Sequence, residues 1–284
     1  MAIRTHKPTS PGRRKSSVQS FDELTKREPE KSLLLTKKRS GGRNNQGKIT
    51  VRHRGGGAKR YIRIVDFLRS RYDDKATVTA IEYDPNRNAF LALIEYGDKT
   101  KAYIVAPQGL GVGDSIVSSR SLVEISSGNR MPLELIPPGM VVHSVEFRPG
   151  DGGKLARGAG VGIELMAIEG SYAQLKLPSG EIRQVRKECA ATIGAVGNAD
   201  YRNIRWGKAG RTRHRGIRPA VRGKVMNPVD HPHGGGEGSN PIGMKHQKTP
   251  TGKPALGVRT RNRKRTSQRL ILRRRSSGRK SRRS

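Results

Sequence analysis

Two apolar segments joined by a turn decide the fold class, and they read Ala76-Thr-Val-Thr-Ala-Ile-Glu-Tyr83, Asp84-Pro-Asn-Arg87 and Ala89-Phe-Leu-Ala-Leu-Ile-Glu-Tyr96. Segments rich in β-branched and aromatic residues on either side of a Pro-Asn turn predict an antiparallel hairpin. Successive side chains of a strand point to opposite faces. Since both faces of Ala89–Tyr96 are apolar, we predict that this strand is covered on both sides.

Further β-type segments lie on both sides of this hairpin. Residues 61–68 and 101–106 complete a first module of the size of a small barrel. A second module is predicted to begin near Met131 and lacks a helical period. Its predicted strands and hairpin are 133–136, 141–147, 162–168 and 174–185. The sequence therefore predicts a mainly β chain with two small barrels in tandem.

Charge is distributed unevenly along the chain. Lys and Arg number 58 against 23 Asp and Glu, which gives a formal net charge of +35. Residues 1–60 hold 17 basic and 4 acidic side chains, and residues 202–284 hold 25 and 2. The part between them is nearly neutral and holds ten of the twelve aromatic residues. The pattern predicts a globular centre between two basic, irregular extensions. The predicted domains are 1–60, 61–125, 126–201 and 202–284.

This charge indicates the kind of partner. So large a positive charge repels itself in an isolated compact protein, and a polyanion, most simply nucleic acid, relieves the repulsion. The basic runs 259–265 and 273–275 and the terminal Ser-Arg-Lys tail extend the pattern. The single cysteine, Cys189, forms no intramolecular disulfide and is interpreted as a small buried residue in a reducing compartment. Neither a signal peptide nor a membrane helix is predicted, so we expect a soluble protein with no membrane partner.

Glycine and arginine alternate in the N-terminal extension, at residues 39–48 and 52–60. Glycine lets the backbone approach a surface closely while neighbouring cations reach phosphates, so these segments are interpreted as phosphate-lining loops. One of them nearly matches a nucleotide-binding P-loop, with Gly42, Gly47 and Lys48 at the motif spacing. Ile49 stands where the motif needs Ser or Thr to hold magnesium, and therefore we do not predict a nucleotide site.

The stretch Val225-Met-Asn-Pro-Val-Asp-His-Pro-His-Gly-Gly-Gly-Glu-Gly238 is the most distinctive motif. Its two prolines exclude a helix and favour a kinked, extended backbone. The three glycines suit a backbone that passes close to another molecule or adopts positive φ.

Three interpretations compete for Asp230, His231 and His233. They are an RNA-packed structural loop, a metal site and a catalytic site. The sequence offers no cysteine cluster or properly spaced third ligand for a metal, and no nucleophile for catalysis. We therefore favour the structural loop and expect no enzyme activity, cofactor, metal or small-molecule substrate.

The motif at 225–238, together with Ser40-Gly-Gly-Arg-Asn44, 52–60 and Arg273-Arg-Arg275, resembles the universal L-two family, the second protein of the large ribosomal subunit, in its bacterial form. The resemblance implies an oligonucleotide-binding barrel followed by an SH3-like barrel. It also implies large-subunit rRNA, other ribosomal proteins and the small subunit as partners. Roles in assembly, subunit association, tRNA binding and the peptidyl transferase region follow from it, as does a cytoplasmic ribosome, with an organelle interior as the alternative.

The candidate RNA-binding residues are cations, imidazoles, glycines and a few polar or aromatic side chains in the basic segments and in the loop at 148–160. They are Arg39, Arg43, Lys48, Arg52, His53, Arg54, Lys59, Arg60, Lys154, Arg157, Arg202, Arg205, Trp206, Lys208, Arg211, Arg213, His214, Arg215, Arg218, Arg222, Lys224, Asn227, Asp230, His231, His233, Gly234, Gly235, Gly236, Arg273, Arg274 and Arg275. Trp206 is interpreted either as a cap on the second barrel or as a base-stacking residue.

Two further functional classes remain to be weighed, and one residue departs from the pattern of the resembled family. A DNA-compacting protein would also be basic, but its arms rarely need two aromatic-bearing β modules. An RNA-processing enzyme would need a carboxylate or histidine cluster in the globular part, where the acidic residues are scattered. The departure is Thr251, which stands where members of the resembled family commonly have tryptophan, so one local contact is in doubt.

Overall fold

The computed structural model describes residues 3–238, 240–258, 260–262 and 264–275. The chain is mainly β and divides into two compact units. The first unit comprises Met1–Lys38, Lys59–Lys208 and Ser267–Ser284, and the second comprises Arg39–Ala58 and Ala209–Thr266. Of the basic C-terminal runs, Arg259, Arg263 and the segment from Ser276 onward lie outside the described residues.

All strands that the structure describes belong to the first unit. They are β1 (Ile3–Thr5), β2 (Ser17–Gln19), β3 (Leu34–Thr36), β4 (Tyr61–Arg63), β5 (Ala76–Asp84), β6 (Ala89–Tyr96), β7 (Lys101–Val105), β8 (Ser115–Ile116), β9 (Arg130–Pro132), β10 (Val141–His143), β11 (Ile163–Glu169), β12 (Tyr172–Lys176), β13 (Ile182–Arg186), β14 (Ala190–Ile193) and β15 (Ile271–Arg273). The helices are α1 (Pro11–Arg14) and α2 (Ala209–His214), with 3-10 turns at Lys31–Leu33, Leu133–Leu135, Ala199–Asn203, Gly223–Val225 and Thr266–Gln268. None of the described helices has the length and apolarity of a membrane-crossing segment.

The first sheet is antiparallel and has the order β7-β6-β5-β8. The predicted hairpin is confirmed as β5 and β6, with Tyr83 opposite Phe90. The prediction of a strand covered on both sides is confirmed as well. Phe90 and Ile94 belong to one buried apolar cluster and Leu91 and Leu93 to the other. This sheet is therefore a central layer with a core on each face.

The second sheet has seven strands in the order β15-β13-β12-β11-β10-β14-β9. It begins one residue before the predicted Met131, and a single cluster that includes Met131, Leu165 and Leu175 forms its core. Cys189 belongs to this cluster, which confirms its interpretation as a buried residue, and burial raises the pKa of its thiol to about 12. The fold class predicted from the sequence, two β modules with basic extensions, is confirmed.

The strand predicted at 133–136 is wrong, because Leu133–Leu135 is a 3-10 turn. Pro132 has no N–H to donate and fixes its own φ, so the strand ends there. A 3-10 turn places side chains three residues apart on the same side. Leu133 and Ile136 are both buried in consequence.

Two other predicted strands are shorter than expected. The segment at 141–147 leaves the ladder after His143, because Ser144 adopts a φ of +48°. The segment at 61–68 ends at Arg63, because the Asp66 carboxylate accepts hydrogen bonds from the N–H groups of Leu68 and Arg69 at 3.0 and 2.7 Å. In both places a local turn replaces the end of a strand.

Short elements of the basic extensions pair with the β modules. Strand β3 pairs with β4, and the N–H groups of Thr25 and Lys26 both donate to the carbonyl of Ile81 at 3.2 and 3.3 Å. At the other end of the chain, β15 pairs with β13 as the edge of the second sheet. Apolar periodicity gives no signal for these strands, since each has only three residues.

Candidate nucleic-acid interface

The second unit unites the glycine- and arginine-rich segment Arg39–Ala58 with Ala209–Thr266. Its sequence contains 19 Lys and Arg against two acidic residues, Asp230 and Glu237. Two carboxylates can balance only a small part of the charge of 19 cations. This unit therefore concentrates the positive charge that the sequence predicted to face a polyanion.

A backbone ladder holds the two segments of the second unit together. The N–H of Gly55 donates to the carbonyl of Gly216 at 2.9 Å, and the N–H of Ala58 donates to that of His214 at 2.8 Å. A Cβ atom on Gly57 would lie 2.6 Å from the nitrogen of Gly216. Glycine is needed here because the protein's own two backbones approach this closely.

Cationic side chains flank this ladder. Arg54 pairs with Ile217 as an isolated β-bridge, and the N–H of Arg218 donates to the carbonyl of His53 at 2.9 Å. The arrangement brings together predicted residues that are about 160 positions apart in the sequence. A paired ribbon with cations along it positions several charges for phosphate contacts at once.

The segment that nearly matches a P-loop is a compact turn. The side-chain oxygen of Asn44 accepts hydrogen bonds from the N–H groups of Gln46 and Lys48, both at 3.0 Å. Arg43 and Ile49 then form a β-bridge, and the described residues that follow contain no α-helix before α2. The geometry thus lacks the helix N-terminus on which a P-loop phosphate rests.

The histidine loop is closed by its own backbone. The N–H groups of Asp230 and His231 donate to the carbonyl of Asn227 at 3.0 and 3.2 Å, and the N–H of Gly234 donates to the carbonyl of His231 at 2.8 Å. The backbone is not helical here, as the two prolines predicted, but it forms hydrogen-bonded turns instead of the predicted kinked, extended stretch. A Cβ atom on Gly234 would lie 2.2 Å from the carbonyl oxygen of Asn227. This glycine is therefore explained by packing within the chain, whereas Gly235 takes the predicted positive φ of +92°.

Both imidazoles of the loop accept hydrogen bonds from backbone N–H groups. His231 is only 7% exposed, and its Nδ1 accepts from the N–H of His233 at 3.0 Å. Nε2 of His233 accepts from the N–H of Lys248 at 2.9 Å. These contacts assign the proton of each neutral ring to the other nitrogen, Nε2 of His231 and Nδ1 of His233.

The arrangement bears on the metal and catalytic interpretations. The two acceptor nitrogens are occupied, and the part of the chain that the structure describes contains no group of three His, Cys, Asp or Glu side chains suited to a metal ion. The rings of His231 and His233 lie edge to face with centroids 4.7 Å apart. Packing of this kind is typical of a structural loop.

The glycine-rich loop at 148–160 lies in the first unit and is organised by a buried carboxylate. Glu146 accepts hydrogen bonds from the N–H groups of Gly150 and Gly152, both at 3.1 Å, and from Arg130 at 2.8 Å. Lys154 pairs with Asp151 at 2.8 Å, whereas Arg157 stacks on Phe67 with its Cζ 3.8 Å from the ring centroid. The two predicted cations of this loop thus have different environments.

The structure divides the complete set of predicted residues between the two units. In the second unit lie Arg39, Arg43, Lys48, Arg52, His53, Arg54, Arg211, Arg213, His214, Arg215, Arg218, Arg222, Lys224, Asn227, Asp230, His231, His233, Gly234, Gly235 and Gly236. In the first unit lie Lys59, Arg60, Lys154, Arg157, Arg202, Arg205, Trp206, Lys208, Arg273, Arg274 and Arg275.

Two of the first-unit residues have informative contacts. Trp206 packs edge-on against Tyr201, with ring centroids 6.1 Å apart, and neither ring belongs to the core cluster of the second sheet. Arg60 donates to the carbonyl of Pro85 at 2.9 Å.

Sequence reasoning missed a set of cations that lie over aromatic rings of the β modules. Arg87 lies over Phe67, Arg120 over Tyr72 and Arg183 over Phe147, at 5.0, 4.4 and 5.0 Å from the ring centroids. Each pair is distant in sequence, or separated by a strand, so no local pattern reveals it. The central segment is also nearly neutral, so its charge did not indicate that these cations are candidate RNA contacts.

Two family models match the chain in succession. The first, described as Ribosomal Proteins L2, RNA binding N-terminal domain, matches residues 30–118. The second, described as Ribosomal Proteins L2, C-terminal domain, matches residues 126–252. The two matches cover both β modules and continue through the histidine loop of the second unit. The chain therefore belongs to the ribosomal protein L2 family and has a structural, rRNA-binding role in the ribosome.

Proposed function

We propose that this chain is a non-catalytic scaffold of the large ribosomal subunit, which supports assembly, subunit association and tRNA binding and helps to organise the peptidyl transferase region. Large-subunit rRNA is its main partner, with other ribosomal proteins and the small subunit at the interface, in a cytoplasmic ribosome. The observation that carries this proposal is the second unit, in which 19 basic residues accompany two acidic ones around a self-closed histidine loop.

The charge of the second unit supports an RNA-facing role. Phosphate groups are the counter-charges that such a surface lacks internally, and each contact releases condensed ions from the RNA. Glycine-rich backbone adds N–H groups that hydrogen-bond to phosphate or to 2′-hydroxyls. The predicted residues from Arg39 to Gly236 that lie in this unit are therefore proposed as its RNA contacts, and the predicted first-unit cations as a second set.

The histidine loop supports a structural role. His231 is buried, and one nitrogen of each imidazole accepts a hydrogen bond from a backbone N–H group. General-base catalysis requires an imidazole nitrogen within reach of the proton that it removes, and Nδ1 of His231 already holds the loop closed. We propose that the domain limits 1–60, 61–125, 126–201 and 202–284 separate RNA-docking extensions from the β modules.

Reconstitution of large subunits with the variant His231→Ala tests the role of the loop. The expected result is impaired assembly or weaker association with small subunits, while the particles that form retain residual peptide-bond formation. The matched control is His246→Ala, an exposed histidine of the same unit, which should assemble normally. Normal assembly of His231→Ala particles with abolished peptide-bond formation would show that the loop is catalytic.

Salt dependence tests the RNA contacts of the whole chain. If about ten phosphates are neutralised, the log–log plot of affinity for large-subunit rRNA against salt concentration should have a slope of roughly −7. A flat plot would contradict a phosphate-binding role.

A further inference from the structure

Two guanidinium groups converge on a single phenyl ring of the first unit. The Cζ atom of Arg157 lies 3.8 Å from the centroid of Phe67, and that of Arg87 lies 5.0 Å from it. The negative face of an aromatic ring attracts a cation by about 0.5–2 kcal/mol, depending on how far the pair is removed from water. The ring thus brings two like charges together without neutralising either one.

Nearby carboxylates do not balance the positive charge of both arginines. Arg87 pairs with the buried carboxylate of Asp84. Among the described residues, no carboxylate lies within ion-pair distance of Arg157. Burial lowers the pKa of Arg157, and the like charge of Arg87 lowers it further. Arg157 is therefore a partly buried cation without an internal counter-ion.

The hydrogen-bonding capacity of Arg157 is also incompletely used. Its Nε is buried and donates to no acceptor among the described residues. A guanidinium group presents five N–H donors in a planar fork that matches the oxygens of a phosphate. Arg157 therefore lacks both a charge partner and acceptors.

A second arginine that is stacked on a ring has both a charge partner and hydrogen-bond acceptors, and it serves as a comparison. Arg71 lies over Tyr96 at 4.6 Å, a geometry similar to that of Arg157. Its guanidinium, however, donates to Asp98 at 2.8 Å and to Thr100 at 3.3 Å. These contacts, led by the hydrogen bond from Arg71, lower the pKa of Asp98 to about 2. Both arginines are thus stacked on a ring, but of the two only Arg157 has no carboxylate as an ion-pair partner.

The backbone around Arg157 is fixed before any ligand arrives. The N–H of Gly153 donates to the carbonyl of Phe67 at 2.8 Å, which ties the loop to the residue that carries the ring. Leu155 forms a β-bridge with Val145, and the carbonyl of Ala156 accepts from the N–H of Ser144 at 3.1 Å. A preorganised side chain loses less entropy when it binds a ligand.

We propose that Arg157 and Arg87, held on the ring of Phe67, form a phosphate-binding site in the first unit that takes one backbone phosphate of RNA. The inference rests on the proposed rRNA-binding function and adds to it a named contact on the β modules. Arg157 supplies the unpaired charge and donors, and Arg87, whose charge is balanced by Asp84, adds further N–H donors beside it.

The test compares Arg157→Gln with Arg71→Gln in the full-length chain. Gln removes the charge from either position and keeps much of the length of the side chain. Filter binding to a large-subunit rRNA transcript is measured over a series of KCl concentrations. Loss of one phosphate contact should reduce the steepness of the log–log slope by about 0.7 for Arg157→Gln. Arg71→Gln should keep the slope of the unmodified chain, because its charge is neutralised internally.

Each outcome of this test has one meaning. An Arg157→Gln slope equal to that of the unmodified chain overturns the site. A flat slope for the unmodified chain instead contradicts the proposed rRNA-binding function itself. Far-ultraviolet circular dichroism and thermal melting of the variants report folding. Failure of Arg157→Gln to fold also counts against the site, since it would mean that the charge of Arg157 is needed within the protein.

Discussion

The two units reach order by different physical means. The first unit buries side chains such as Leu91 and Ile94 on both faces of a sheet. The second unit has no strand among its described residues and leaves Val229 and Leu256 exposed by 91% and 79%. Its order comes from backbone pairing and from glycines at close approaches, such as Gly57 against Gly216. A highly basic segment can therefore be specifically shaped although none of its described apolar side chains belongs to a buried core cluster.

The largest effect is expected in the interior of the first unit, at the buried ion pair of Glu146 with Arg130. Glu146→Ala leaves the Arg130 guanidinium buried without a counter-charge and deprives the N–H groups of Gly150 and Gly152 of their acceptor. We expect a loss of about 3–5 kcal/mol in the free energy of unfolding, measured with urea and circular dichroism.

The matched control is Glu164→Ala, which removes a carboxylate paired at 2.7 Å with Lys176 on the surface. An exposed pair contributes only about 0–1 kcal/mol. Equal effects of the two substitutions would contradict the distinction between a buried and an exposed ion pair.

The next effect contrasts an apolar side chain from each unit. Leu91 is fully buried in β6, and Leu91→Ala should lower the free energy of unfolding by about 2–5 kcal/mol through lost contacts and a cavity. Val229→Ala removes methyl groups from an exposed side chain and should change it by less than about 0.5 kcal/mol. A comparable destabilisation by Val229→Ala would show that the second unit relies on apolar burial after all.

Gly234→Ala tests the glycine-based order of the second unit. The added Cβ atom meets the carbonyl of Asn227, so opening of the histidine loop should become easier by about 1–3 kcal/mol. The amide hydrogens of His231, Gly234 and Gly235 should then exchange faster, while those of β6 stay protected. Gly210→Ala is the control, because its Cβ would have no atom within 4 Å. Normal exchange in the Gly234→Ala loop would contradict the packing role of this glycine.

The last prediction is a pH dependence of stability that arises from a buried histidine of the first unit. Burial lowers the pKa of His143 to about 4, below its ordinary value of 6.5. As the pH falls, the imidazole of His143 is therefore protonated in the unfolded chain before it is protonated in the folded one. The free energy of unfolding is highest above pH 6.5 and decreases as the pH falls towards 4. The free energy of unfolding should decrease by about 1.4 kcal/mol per pH unit in this window. The variant His143→Gln should show a flatter profile between pH 7 and pH 5, and an unchanged profile would assign the dependence to other groups.

Much of the fold was predictable where apolar residues repeat with a strand period. The hairpin of β5 and β6 follows directly from its β-branched and aromatic residues and its turn. The turn at Leu133–Leu135 was not predictable in this way, since a segment as short as Leu-Glu-Leu-Ile does not distinguish a strand from a 3-10 turn. The positive φ of Ser144, which ends β10, depends on packing rather than on any preference of serine.

The candidate interface was predictable only in part. Charge runs located the residues of the second unit, because a run of arginines is visible in the sequence itself. The ladder between Gly55 and Gly216 and the stack of Arg87 on Phe67 were not visible, because each joins segments that only the fold brings together. The internal packing of Gly234 was also missed, since a glycine needed by its own chain has the same letter as one that approaches RNA.

Strand β15 returns the basic C-terminal segment to the first unit. Because Ile271–Arg273 pairs with β13, the stretch from Ala209 to Thr266 is anchored to the first unit at both ends, as is the stretch from Arg39 to Ala58. In polymer terms both stretches are closed loops. Since the entropy cost of closing a loop grows only slowly with its length, the longer stretch costs little more to close than the shorter one. The pairing of β15 with β13 therefore places the chain beyond the longer loop in the first unit. Removal of β15 would turn the longer loop into a singly tethered tail.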